Sequence, residues 1–62
     1  MKRHSFLKHL AKHKCFLFRE GKKHSVFYNP SNDRVSTVPR HREIDNLLAN
    51  KICKDLDISK VK

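Results

Sequence analysis

The chain predicts an α+β fold in the order α-β-β-β-α, a three-stranded antiparallel sheet with both helices on one face. Three observations carry this: apolar residues at helical spacing near each end, three short β-like runs between them, and turn residues separating those runs.

In the first element, Ser5 can cap a helix with Phe6, Leu7, Leu10 and Ala11 on one face and Lys8, His9 and Lys12 elsewhere, fading near Lys14. The residues ahead of it, His4 among them, read as loose. Cys15 to Arg19 holds three consecutive large apolar residues and reads as the first strand. Gly21, the only glycine, falls where a tight turn between strands needs it. His24 to Tyr28, rich in valine and aromatics, is the second strand. Asn29-Pro30-Ser31-Asn32-Asp33 is a turn, since each residue fixes or tolerates turn dihedrals. Arg34 to Val38 is the third strand, with Val35 and Thr37 on one face and Ser36 and Val38 on the other.

Pro39 ends that strand, having no N–H for the ladder. After the charged loop Arg40-His41-Arg42-Glu43, a second helix starts at Asp45 or Asn46, either able to cap it. It carries Ile44, Leu48, Ile52 and Leu56 in an i+4 row, with Leu47 beside them. The tail from Asp57 to Lys62 reads as frayed, with Ile58 in reach of the core. Phe16, Phe18, Phe27 and Tyr28 read as core and not as a stacking surface, Tyr28 alternating outward from Phe27.

The 62 residues make a single domain, residues 1–62, with one small core. A chain this short buries only about 60% of the surface its unfolded form exposes, so a protein partner would help it. Cys15 and Cys53 lie in apolar runs with neither CxxC nor paired metal spacing. They read as buried free thiols of a reducing cytoplasm, although one disulfide is possible on paper. Lys8, His9 and Lys12 interrupt the apolar residues near the N-terminus, so no signal peptide is expected, and no run approaches membrane-spanning length. A cytoplasmic protein with no membrane partner is expected.

Fifteen Lys and Arg against six Asp and Glu give a net charge of +9. Charge that dense repels itself unless nucleic acid or an acidic protein face sits against it. The cations run through the predicted elements and not into a low-complexity tail, which favours a binding face.

Within that field, His24 is the residue with chemistry to offer. It follows Arg19-Glu20-Gly21-Lys22-Lys23, so an imidazole able to accept or donate a proton near neutral pH lies among cations. Those cations suit a phosphorane-like transition state. Spacing alone leaves two roles open: the base in metal-free RNA cleavage, or a strand-edge histidine touching phosphate. Arg34 and Arg40 read as phosphate contacts or as ordinary solvated charge. His41 reads as a second proton-transfer group or as a loop-fixing hydrogen bonder. His9 and His13 stand at i, i+4 with no third ligand at suitable spacing, so they read as a solvated helix face, and no metal or other cofactor is expected.

These residues, in this order, resemble the HicA family of bacterial toxins, small messenger-RNA-cleaving proteins paired with HicB antitoxins. Arg19 ends the first strand; His24 opens the second, followed by Phe27 and Pro30; Arg34 opens the third. Val38-Pro39-Arg40-His41 forms the exit, and Ile52 and Leu56 face inward on the last helix, the likeness running from about Phe6 to Ile58. The resemblance implies a fold like a double-stranded-RNA-binding domain and a metal-independent ribonuclease whose catalytic residue is His24. Only the role of His24 carries over from the family; Arg19, Lys22, Lys23, Arg34 and Arg40 are expected on the RNA from their charge and position. Charge together with the family pairing leads to the expectation of a HicB-like antitoxin covering His24 and its cationic strand. Two features depart from the family. Lys22-Lys23 stands where a small pair usually precedes the histidine, with the glycine one residue early at Gly21, and Lys14-Cys15 replaces Gly followed by an aromatic. The alternative is a non-catalytic basic RNA-binding module of the same fold.

Overall fold

The computed structural model describes residues 1–61. The elements follow in the expected order: α1 (Arg3–Lys12), β1 (Phe16–Glu20), β2 (His24–Asn29), β3 (Arg34–Pro39) and α2 (Asn46–Leu56). The strands form one antiparallel sheet in the order β1-β2-β3. Along β2, Ser25, Phe27 and Asn29 are buried, while Val26 and Tyr28 alternate to the other side. Cross-strand partners share a face, so Val38 opposite Ser25 and Ser36 opposite Phe27 complete the buried side. One cluster joins this face to Phe6 and Leu10 of α1 and to Ala49, Ile52, Cys53 and Leu56 of α2, which places both helices on it.

The turn after β2 is tied to α2. Asn29 accepts a hydrogen bond from the Ser31 amide at 3.0 Å, and its own amide donates to the Leu56 carbonyl at 2.8 Å. Asn32 donates to the same carbonyl at 3.0 Å, capping the helix end from across the sheet. Asp33 closes the turn with a φ of 60°, a left-handed conformation that aspartate tolerates.

Four expectations need correction. Helix α1 starts at Arg3 with Lys2 as its cap residue, so Ser5 lies inside the first turn and caps nothing. The cause is tertiary: the Arg3 amide donates to the Arg42 carbonyl at 2.8 Å, the Ile44 amide donates to the Met1 carbonyl at 2.8 Å, and Lys2 bridges to Glu43. His4 is therefore helical and not loose.

On α2 the inward stripe is Ala49, Ile52, Cys53 and Leu56, an i, i+3, i+4, i+7 pattern, and both Leu47 (82% exposed) and Leu48 face out. Ile44 is buried but lies ahead of the helix, so it does not set the phase of the row counted from it.

Gly21 has no positive φ; its amide donates to the His24 carbonyl at 2.8 Å, and a Cβ there would come within 3.0 Å of that oxygen. Close approach, and not dihedral freedom, is what favours glycine here, since a Cβ would press on a backbone oxygen.

The tail is held through Val61. The Ile58 amide donates to the Cys53 carbonyl at 2.9 Å, the Val61 amide to Asn50 Oδ1 at 2.9 Å, and both side chains pack on the core. Lys62, the last residue of the expected frayed segment, lies outside the described residues.

Cys15 and Cys53 are buried free thiols. Burial pushes both up, Cys15 further by the proximity of Cys53, which makes them poor nucleophiles.

Truncating Ile52 to Ala should cost about 2–5 kcal/mol in urea unfolding. Leu47→Ser should stay within about 0.5 kcal/mol of wild type. Equal losses at the two positions would return Leu47 to the core.

Candidate active site

The site is built on an irregularity in β1. Phe16 pairs with Tyr28 and Leu17 with Phe27, but the register then shifts and Arg19 pairs with Val26 and Glu20 with Ser25. Phe18 is the extra residue of a β-bulge. Without it, alternation would send Arg19 to the helix side and Glu20 to the open side. With it, Arg19 joins Val26 on the open face and Glu20 faces Ser25 on the helix side.

Glu20 is there the centre of a clamp. One of its carboxylate oxygens accepts from the Ser25 hydroxyl at 2.7 Å and from Arg40 through Nη2 at 2.8 Å and Nε at 3.2 Å. Arg3 backs the same network, donating to Ser25 Oγ at 3.1 Å and to the Pro39 carbonyl at 2.9 Å. The Arg40 guanidinium also donates to the turn carbonyls of Lys22 at 2.9 Å, Gly21, and His24 at 3.3 Å. Arg40, and Ser25 after it, hold the Glu20 carboxyl below the usual carboxylate range against a smaller opposing effect of burial. The pair is exposed, so its worth lies in geometry more than in stability.

The clamp fixes the turn that presents Lys22, Lys23 and His24, all three exposed. His24 opens β2 opposite Pro39 and, by alternation with buried Ser25, lies on the open face of the sheet. Arg19 shares that face. Arg40 lies against the turn, with Nε, Nη1 and Nη2 all bonded to the hairpin. His41 is exposed two residues beyond Pro39, at the same end of the sheet as His24. Arg34 pairs with Asn29 at the opposite end, five residues along β2 from His24, about 17 Å at about 3.4 Å per residue. The structure thus gathers Arg19, Lys22, Lys23, His24 and Arg40, leaves His41 adjacent, and sets Arg34 apart.

Behind the clamp lies an open cleft of about 550 Å³ lined by Lys2, Arg3, His4, Leu7, Arg40, Arg42 and Glu43. Glu20, Ser25, Arg3, Lys2 and Arg42 were not legible as site residues. Glu20 and Ser25 are only five residues apart, but the arginines that make them a site are distant. Arg40 is 20 residues from Glu20, and Arg3 is 22 from Ser25 and 36 from Pro39, so local spacing carries no trace of the cluster.

The aromatic residues also depart from expectation. Phe27 is buried, but Phe16 (49% exposed) and Phe18 (58%) lie on the open face with Tyr28. His9 is held by its ring nitrogen at 2.7 Å from the Ser59 carbonyl, with the His13 ring 4.7 Å away. Among the described residues, no group of three or more His, Cys, Asp or Glu side chains could hold a metal.

A protein-family model described as the HicA toxin of bacterial toxin-antitoxin matches residues 4–58. No curated protein and no solved structure matches the chain.

A folded-state acidity below the unfolded one means that the Glu20 clamp contributes stability above the unfolded-chain value and loses it as pH falls through the folded value. Melting midpoints measured from pH 7 into acid should therefore fall more steeply for wild type than for Glu20→Gln. Parallel profiles would show that the clamp is not coupled to folding.

Proposed function

We propose that this chain, which belongs to the HicA toxin family of bacterial toxin–antitoxin systems, exerts its toxicity by cutting messenger RNA with His24 and without a metal. One observation supports this above the others: an exposed histidine opens β2 directly after two exposed lysines, on a turn held by Arg40 and Glu20. In this reading His24 is the general base. It takes the proton of a ribose 2′-OH, and O2′ attacks the adjacent phosphorus. The P–O5′ bond breaks, and O5′ takes a proton from the imidazolium. The products are a 2′,3′-cyclic phosphate and a 5′-hydroxyl. Lys22, Lys23 and Arg19 offset the charge that grows on the phosphoryl oxygens. Arg40 positions the turn, His41 is a second candidate for proton transfer, and Arg34 touches RNA at the far end of the sheet.

Family membership implies an antitoxin partner. We take it to be a HicB-like protein that covers His24 and the cationic strand, masking the base and neutralising part of the +9 charge. A messenger RNA substrate places the toxin in the cytoplasm; among the described residues no helix is long and apolar enough to cross a membrane.

With chelator present, wild type should cut single-stranded RNA to products ending in cyclic phosphate. His24→Ala should lose about 10²–10⁴-fold in rate, and a 2′-deoxy substitution at the cleaved position should block the reaction. Cleavage by His24→Ala at the wild-type rate would remove His24 from the chemistry. Salt-sensitive binding with no cleavage by wild type would instead favour a non-catalytic RNA-binding module, with Lys22-Lys23 replacing the family's small residues.

A further inference from the structure

The open face of the sheet carries an aromatic group that neither the core nor the clamp uses. The Phe16 ring lies 5.5 Å from Tyr28, edge to face, and the Phe18 ring 5.7 Å from Tyr28, tilted. Phe16 and Phe18 are about half exposed, and Val35, opposite Tyr28, is exposed beside them. Rings in such numbers on the surface of a small domain mark a binding face. Alternation from Phe16 places Phe18 on this face, and the bulge at Phe18 turns Arg19 onto it as well. The Tyr28 hydroxyl donates to Asp33, which orients the phenol and occupies the neighbouring carboxylate.

The charge on this face selects the partner. Arg19 stands between the rings and the His24 end, where Lys22 and Lys23 are exposed. Tyr28 and His24 are four residues apart on one strand, about 13 Å at about 3.3 Å per residue. A cationic track leading from clustered, exposed rings is the pattern with which sheets hold unpaired nucleotides, because every base offers a π-face and the phosphates need only charge. A duplex keeps its bases stacked inside and offers these rings nothing.

We infer that this face is a stacking platform for single-stranded RNA: bases pack on Phe16, Phe18 and Tyr28 while the backbone runs over Arg19 to His24. The inference rests on the ribonuclease reading and deepens it, because it restricts the substrate to unpaired RNA and sets its path.

Tyr28 is the only tyrosine and the chain has no tryptophan, so tyrosine emission reports on this face alone. The test uses the full chain and a 2′-O-methyl oligoadenylate, which binds but offers no attacking hydroxyl. The single strand should quench Tyr28, and the same strand annealed to its complement should not. By anisotropy of a labelled strand, Phe18→Leu should weaken binding about tenfold and Phe18→Trp should restore it. Equal quenching by the duplex, or wild-type affinity in Phe18→Leu, would overturn the platform and leave the face to a protein partner. The two readings separate cleanly. Quenching without cleavage of ordinary RNA sinks only the ribonuclease, and cleavage without quenching sinks only the platform.

Discussion

Everything at the His24 end of the molecule hangs on one carboxylate. Glu20 draws in Ser25 of the next strand and Arg40 from beyond the third, and Arg3 of the first helix joins through Ser25. Four elements of the chain thus meet at a group that a single extra residue in β1 has turned to the helix side. Charge-assisted bonds to one oxygen give direction more than strength, since the pair is open to solvent. Their effect is to hold a short, strongly cationic turn in one shape. Left to itself, Lys22-Lys23 would repel its neighbours and splay. With Arg40 donating to three of the turn's carbonyls, the segment has an ordered backbone and exposed side chains. A base needs that combination to meet a substrate at a fixed distance.

The bulge has a second consequence. It sends Arg19 to the open face, so the device that builds the clamp beneath the sheet also sets a cation beside the rings of Phe16, Phe18 and Tyr28 above it. The rest of the charge is spread to match. Lys2, Arg3, Arg40 and Arg42 line a cleft on the helix side, and Lys22 and Lys23 stand on the turn. A chain of +9 with this distribution holds cations on both sides of its candidate site, which costs folding stability unless a polyanion or an acidic partner relieves it.

The element order was legible because its signals are local. The apolar spacing of Phe6 and Leu10, the run Val26-Phe27-Tyr28 and the turn residues from Asn29 to Asp33 all act within a few positions of themselves, and each lies where it was expected. His24 was legible as a candidate for the same reason. The misses share the opposite cause. Ser5 looked like a cap because it is a good one, but backbone pairing of the N-terminal residues with Arg42 to Ile44 starts the helix earlier. Leu48 joined an i+4 row because Ala49 and Cys53, the residues that do face inward, are small and weakly apolar. Phe16 and Phe18 read as core because large apolar residues usually are, and nothing local tells which face of the sheet the two helices leave open. The bond from Arg40 to Glu20 was not legible for the same reason, since the two are 20 residues apart.

The most direct measurement is the rate at which an Arg40→Lys variant cuts single-stranded RNA in chelator, beside its melting temperature. Lysine keeps the charge but cannot donate to Glu20 and three carbonyls at once. If the clamp positions His24, the rate falls about tenfold to a hundredfold while the melting temperature moves little. A variant that cuts as fast as wild type would contradict the account, because the turn would then hold His24 in place without the clamp.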